Sequence, residues 1–276
     1  MYADLHIHTW YSDGTLSPEE IVKKAKAQDF TLISICDHEC TEAYPELFDL
    51  CAANNINLIT GVELLALMDD KEYHILAYNF DAQNKALRGF MKHNRGILLD
   101  KGAGLIEKIS ADYADVSIQE FSKYERNRKN GGWDSIDYLK SKNLVETWPD
   151  FVDLARKYPV ELDKDFLCAE EAIKIIHNAG GYAVLAHPGD HNGQNPEACE
   201  KEAVKFLEIG IDGFECYYPL YSAEFTGFLV KFCRKHDLII TAGSDEHGGF
   251  NDAWANKYYI GAVKIKTEKL NLKDMV

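Results

Sequence analysis

Residues 2–14, YADLHIHTWYSDG, decide how this chain is read. The stretch has strand composition, and side chains two apart on a strand share a face. His6 and His8 then point one way, Leu5 and Ile7 the other, and Asp13 follows on the next loop. An isolated H-x-H is as ordinary on a solvated strand as in a ligand pair. The rest of the sequence has to choose.

Composition narrows the choice. The 276 residues suffice for one large domain or two small ones, and 46% hydrophobic content is that of a globular protein. No run is long enough to span a membrane, and no basic-then-apolar leader opens the chain, so a cytoplasmic protein with no membrane partner is expected. Among the seven cysteines, Cys36 and Cys216 lie in apolar, strand-like runs, as buried reduced thiols do. Cys36 and Cys40 form a C-x3-C with no second Cys/His pair at zinc-finger spacing. The formal charge of −15 disfavours broad binding to nucleic acid or anionic membrane. A compact anionic substrate remains open if the site brings its own positive charge, as metal ions would. No obligate protein partner is evident.

Seven β-rich runs are legible: YADLHIHT, TLISICDH, INLITGVELLAL, EYHILAYNF, GYAVLAHP, DGFECYY and LIITAGSDEH, with a weaker NKYYIGAV at 256–263. Helical stretches separate most of them. The clearest begins with Ser17 as N-cap, Pro18 at N1 and Glu20 closing a capping box, with Ile21, Val22 and Ala25 as its inward stripe. Another, CAEEAIKIIHNAGG, stops at Gly180 and Gly181. Strands alternating with helices predict a parallel α/β architecture. Residues 83–165 break the rhythm, being helical and polar without a strand. They read as a helical insertion, a substrate cap, between the fourth and fifth strands of a barrel made by residues 1–82 and 166–276.

The histidines and carboxylates fall at strand ends. His38 ends LISICDH, His187 ends AVLAHP and His247 ends TAGSDEH; Asp37 and Asp245 stand beside two of them, and Glu63 lies in TGVELL. His74 alternates with apolar neighbours in EYHILAY, while His93, His177 and His236 lie in helical stretches and read as ordinary surface or core histidines. In a βα-barrel, functional residues gather at the C-terminal ends of strands. Neutral imidazole and carboxylate are the ligands of zinc, manganese and iron, and two or three such ions need about this many donors. His6 and His8 are thus expected to be paired ligands.

In order along the chain, DLHIHTWYSDG, CDH, GVE, YHILAY, LAHPG and GSDEHG resemble the motifs of the PHP (polymerase and histidinol phosphatase) superfamily, from residue 4 to residue 248. More narrowly, they are similar to its phosphoesterases with a helical insertion, which act on nucleoside phosphates or short nucleic acids. The resemblance implies an α/β fold, a distorted (β/α)7 TIM-like barrel with an inserted small helical domain, holding two or three divalent transition metal ions (Mn, Zn or Fe). It implies that His6, His8 and Asp245 hold the first ion, that Glu63 bridges to a second completed by His74 and His187, and that Asp13, His38 and His247 hold the third. Asp37 is expected behind these ligands, fixing a histidine tautomer. Two departures stand out. Glu246 occupies a place where the family often has an apolar or aromatic residue, and NGGWDSIDYL replaces a GRPH-like stretch in the insertion.

The ligand set implies hydrolysis of a nucleotide phosphate ester by a metal-activated water, whose pKa zinc lowers to about 7, with Asp245 and His247 at the reacting centre. The partner is then a small phosphorylated substrate, a nucleotide or a short single-stranded nucleic acid. Alternatives are a histidinol-phosphate-type phosphomonoesterase, a metal-dependent C–N hydrolase and a non-catalytic metal-binding module. His191, four residues past His187, is expected to contact substrate or protonate the leaving oxygen. Of the six arginines, Arg126 and Arg128 in KYERNRK and Arg95 on the preceding helix are expected to bind a phosphate remote from the one cleaved.

Overall fold

The computed structural model describes residues 1–162, 165–250 and 255–276. Its strands are β1 (Tyr2–Ile7), β2 (Phe30–Ile35), β3 (Asn57–Met68), β4 (Lys71–Tyr78), β5 (Tyr182–Leu185), β6 (Gly213–Tyr217), β7 (Ile239–Ala242) and β8 (Ile265–Lys266). They form one sheet in the order β7-β6-β5-β4-β3-β2-β1-β8. The sheet curls until its edges meet. Asp245 N–H donates to His6 O (2.8 Å) and His8 N–H to Glu246 O (2.9 Å), joining the end of β1 to the segment after β7. Lower down, β8 fills the gap, pairing antiparallel with Tyr2 and Ala3, while Asn271 bridges Ile240. The seven-stranded barrel that the motifs imply is present.

Two expectations need correction. The sheet is not wholly parallel, because β4 runs antiparallel to both β3 and β5. Its cause is a two-residue hairpin turn at Asp69 and Asp70, both with left-handed φ (52° and 60°), the backbone that a tight hairpin demands. NKYYIGAV, further, forms turns rather than a strand over its described residues, and the short β8 lies just beyond it.

Between strands lie α1 (Pro18–Ala27), α2 (Tyr44–Asn54), α7 (Ala169–Asn178), α8 (Pro196–Glu208) and α9 (Ala223–Lys235). The N-terminus of α1 has the expected capping box between Ser17 and Glu20, with Ile21, Val22 and Ala25 buried. Inside the barrel, Leu5, Leu32, Ile59, Leu76, Tyr78, Val184 and Ile239 pack as an apolar floor. Leu5 and Ile7 therefore do not share a face: Ile7 packs outside with Ile33, Ile35 and the helices, and the β1–β2 register is irregular between Asp4 and Ile7. This irregularity leaves His6 and His8 above the floor.

Between β4 and β5 run α3 (Lys85–Ser110), α4 (Ile118–Phe121), α5 (Asp134–Ser141) and α6 (Trp148–Lys157). They share a core of their own, including Ile106, Ile109, Ile136, Tyr138 and Leu139, which Phe250 joins from beyond β7. No described helix is long and apolar enough to cross a membrane.

Candidate metal centre

The strands and the loops that follow them bring a set of His, Asp and Glu side chains to the barrel mouth. Glu63 lies at its centre, on the inward face of β3, 1% exposed. Its Oε2 is 3.2 Å from His6 Nε2, 3.1 Å from His8 Nε2 and 3.3 Å from His38 Nδ1. Its Oε1 is 2.7 Å from His74 Nδ1 and 3.2 Å from His187 Nε2. Asp245 Oδ1 lies 3.4 Å from His6 Nε2 and 3.2 Å from His8 Nε2. Asp13 gathers a second group, with its Oδ1 3.5 Å from His8 Nδ1 and its Oδ2 3.4 Å from His247 Nε2 and 3.8 Å from His38 Nε2.

These donors fit metal ions. Four atoms bound at about 2.1 Å around a tetrahedral ion lie roughly 3.4 Å from one another. In the set His6, His8, Glu63 and Asp245, the two histidines lie 3.1 Å apart and each lies 3.1 to 3.4 Å from both carboxylates. His6 Nε2 and His8 Nε2 face each other at 3.1 Å, an arrangement that leaves at most one proton between two nitrogens. Buried nitrogens His8 Nδ1, His38 Nδ1 and His187 Nδ1 have no hydrogen-bond partner. Further convergent sets are His8, Asp13, His38 and His247, and His38, Glu63 and His74. All nine expected ligand residues thus meet in one cluster. His8 and His38 are shared more widely than the motifs imply, and His187 reaches the second set only through Glu63.

Charge in the cluster is arranged for cations. Burial alone would push the His6 imidazole down, but Glu63, Glu215 and Asp245 outweigh it and hold it well above its ordinary value. His8 rises to about 10 and His187 to about 9, again against burial, through Glu63 and Asp245 with Asp13 beside the first and Asp190 beside the second. His38, in contrast, is pushed down to about 3 by burial. Glu63 and Asp245 are themselves buried, yet the imidazoles around them hold both carboxyls well below the usual range. Without metal the carboxylates favour protons on His6, His8 and His187, and binding a cation releases them.

Backbone geometry serves the same end. His187 and Asp245 both adopt left-handed φ (28° and 54°), which is uncommon for residues with a side chain and concentrates at functional sites. On β5 strict alternation would place His187 with Ala183 and Leu185, which pack against the helices; the left-handed turn brings it to the mouth instead. Gly243 is required by close approach, since a Cβ there would collide with His6 Cβ and Glu215 Oε1.

The PHP domain family profile matches residues 4–214. The chain belongs to the PHP domain family. It is 28% identical over 253 residues to the 5'-3' exoribonuclease Rnm of Salmonella typhimurium, spanning 88% of this chain and 84% of that one. It is 26% identical over 249 residues to the 3',5'-nucleoside bisphosphate phosphatase of Chromobacterium violaceum, spanning 88% of this chain and 86% of that one. A presumed metal-dependent phosphoesterase from Bifidobacterium adolescentis shares the fold with TM-score 0.77 at 24% identity, over 97% of this chain and 93% of the other.

Around this PHP cluster lies a cavity of about 280 Å³, walled also by Trp133, Trp148, Asp190, Tyr218, Phe250 and Tyr258. The three expected phosphate-binding arginines do not line it. Arg126 is engaged elsewhere, its guanidinium donating to Ser12 O (2.7 Å), Trp10 O and Gly132 O and pairing with Asp134 (3.2 Å). Arg128 is exposed and lies over the Tyr11 ring at 4.8 Å. Arg95 lies within electrostatic reach of Glu39 and Cys40. His191 is also outside, packed on Tyr73 with ring centroids 4.4 Å apart; its neighbour Asp190 faces the cavity instead. Among the described residues Asp37 hydrogen-bonds to no histidine. It accepts from Thr9 N–H (2.7 Å), Thr9 Oγ1 (2.6 Å) and Ser12 Oγ (2.6 Å), and so anchors the loop that carries Asp13. His93 and His177 bond to Asp165 O and Asp212, and His236 packs on Phe232, as ordinary histidines do.

Sequence reading left Glu215 and Tyr218 without roles. Glu215 Oε1 lies 3.1 Å from His6 Nδ1, and its Oε2 accepts from His187 N–H (3.0 Å). Tyr218 Oη donates to Asp245 Oδ2 (2.8 Å), turning Oδ1 toward the histidines. Both stand in DGFECYY, Glu215 on β6 and Tyr218 just after it, in a run that lacks a metal-ligand motif.

Proposed function

We propose that this cavity holds two or three divalent transition metal ions, manganese, zinc or iron, and acts on a phosphate ester of a nucleotide: a nucleoside monophosphate, a 3',5'-bisphosphate or a short oligonucleotide. His6, His8, Glu63 and Asp245 would hold one ion, Glu63 with His74 and His187 a second, and Asp13, His38 and His247 a third. Such ions supply a water of lowered pKa and neutralise charge at the phosphoryl group. The chain's own groups position the donors: Glu215 sets the His6 ring, Tyr218 orients Asp245, and Asp37 holds the Asp13 loop. Asp245 and His247 face the substrate from the last strand.

One observation carries the reading. Among the described residues, the cavity wall has four carboxylates, Asp13, Glu63, Asp190 and Asp245, and no lysine or arginine. Protons on the surrounding imidazoles offset that charge when no ion is bound, and each would be exchanged for a cation able to hold a phosphate oxygen as well. A site so rich in convergent metal donors suits a metal-dependent phosphoesterase, and the protein is one. The two curated relatives act on RNA and on nucleoside bisphosphates, as their names state, which supports a nucleotide substrate. Seven unpaired cysteines, six of them buried, suit the reducing cytoplasm.

A phosphate-release screen with added manganese tests the proposal, comparing adenosine 5'-monophosphate, a 3',5'-bisphosphonucleotide, histidinol phosphate and short RNA. Release from the nucleotides or RNA, lost on chelation, is the expected outcome. Preference for histidinol phosphate would assign the site to a different phosphomonoester, and activity after complete metal removal would overturn it.

A further inference from the structure

A second cavity, of about 370 Å³, lies wholly within the helices between β4 and β5. Its walls are mainly apolar: Leu98 and Leu105 from α3, Phe151 and Val152 from α6, and Trp133, which opens α5. Trp133 also walls the metal cavity, its ring centroid 6.1 Å from that of His38. The indole is therefore common to both spaces. Its size falls within the range of small-ligand sites, about 300–1,000 Å³.

We infer that this second cavity receives the base of the nucleotide whose phosphate enters the metal cavity, with Trp133 as the stacking surface between them. This rests on the phosphoesterase reading above and adds how the substrate is chosen. Three features commit the cavity to a nucleobase. It shares Trp133 with a site suited to phosphate, so a nucleotide with its phosphate in the one cavity would bring its base toward the other. Its faces are mainly aromatic and aliphatic, which suits a flat ring better than a bare sugar. Ser135 and Lys101 stand on its wall and supply polar contacts for the ring's edge. Gly102 of α3 keeps the space open: a Cβ there would meet Ser135 at an ordinary 3.5 Å, so a longer side chain would extend into the cavity without forcing the helix apart. The arginines expected to select substrate are engaged or turned away, and in this inference an aromatic surface takes over that task. Stacking of a base on an aromatic residue is sequence-tolerant and shifts affinity by about ten- to a hundredfold.

The test is binding of adenosine, which carries the base and no phosphate, to the metal-loaded protein by equilibrium dialysis. Wild-type protein should bind it, and Trp133→Ala and Gly102→Leu should each weaken binding at least tenfold. Thermal unfolding identifies any variant that fails to fold, and Gly102→Leu, a helix-favouring change, keeps the test decisive if Trp133→Ala does. Parallel assays should show the ratio of KM for adenosine 5'-monophosphate to KM for ribose 5-phosphate rising by a similar factor in both variants. Absence of adenosine binding by the wild type, or folded variants that bind it as well as wild type, would overturn the inference. Adenosine binding without hydrolysis of any nucleotide, 3',5'-bisphosphonucleotide or short RNA would instead leave the base site standing and defeat the phosphoesterase reading.

Discussion

His6 Nδ1 and Glu215 Oε1 stand 3.1 Å apart, both fully buried below the mouth of the barrel. The contact places the His6 proton on Nδ1 and leaves Nε2 free to face His8, Glu63 and Asp245. The same carboxylate accepts from His187 N–H through its other oxygen, so one side chain on β6 sets two ligands from β1 and the end of β5. A Glu215→Gln side chain can satisfy only one of these donors. Carboxylates that orient metal-bound histidines are typically worth 10–100-fold in metal affinity. Glu215→Gln should therefore weaken metal binding by about that factor, read by competition with a chromogenic chelator, while the circular dichroism spectrum is retained.

Glu63 touches five histidines, and no other group in the cluster has that reach. Glu63→Gln removes the charge that holds them together. Metal content by elemental analysis should fall by at least one ion per chain, and phosphoesterase turnover should fall by at least a thousandfold. His236→Ala, at the exposed end of α9, should leave both within twofold of wild type. Equal losses from the two changes would reject the central place given to Glu63.

How far the sequence could be read follows from which interactions are local. Most of the clustered histidines were legible because His8, His38, His187 and His247 follow apolar strand runs, and a strand's end in a barrel is a fixed address, whereas His74 sits within its strand. The β3–β4 reversal was less visible, because Asp69 and Asp70 lack the glycine that usually marks a tight hairpin. Arginine placement was not legible at all. Composition offers Arg126 to a phosphate as readily as to the carbonyls of Trp10, Ser12 and Gly132, and only the packed insertion decides. Asp37 teaches the same lesson: adjacency to His38 suggested a tautomer partner, yet its neighbours in space are Thr9 and Ser12.

Arg126 ties the helical insertion to the loop after β1. Its side chain is 10% exposed, and it bonds to backbone oxygens on both sides of that junction. Charged hydrogen bonds of this kind contribute about 1.5–3 kcal/mol each when lost singly. Arg126→Ala should lower the unfolding midpoint and speed amide exchange at residues 10–13 and 131–134. Arg126→Lys should fail to rescue it, because an ammonium cannot reproduce the planar fork. A variant with wild-type exchange rates in both segments would show that the insertion is held by its apolar contacts alone.

Asp4, inside the barrel below the metal ligands, offers a test in pH. It is fully buried, Ser244 N–H donates to its Oδ1 (2.9 Å), and its Oδ2 has no hydrogen-bond partner. Burial pushes its carboxyl up to about 7, with Glu246 adding to the rise and the Ser244 contact opposing it. Between about pH 4 and pH 7 the folded chain keeps this proton while the unfolded chain loses it. Stability contributed by the protonated carboxyl is thus complete below the unfolded value and is lost as pH rises through 7. Asp4→Asn keeps the acceptor for Ser244 and removes the titration. Measured on chelated protein, so that metal dissociation does not intervene, the variant should match wild type at about pH 4 and below. It should exceed wild type at pH 8 by on the order of a few kcal/mol, since a tenfold change in proton affinity between folded and unfolded chain is worth about 1.4 kcal/mol. A stability difference between the two proteins that is flat from pH 4 to 8 would mean that Asp4 ionises freely in the fold.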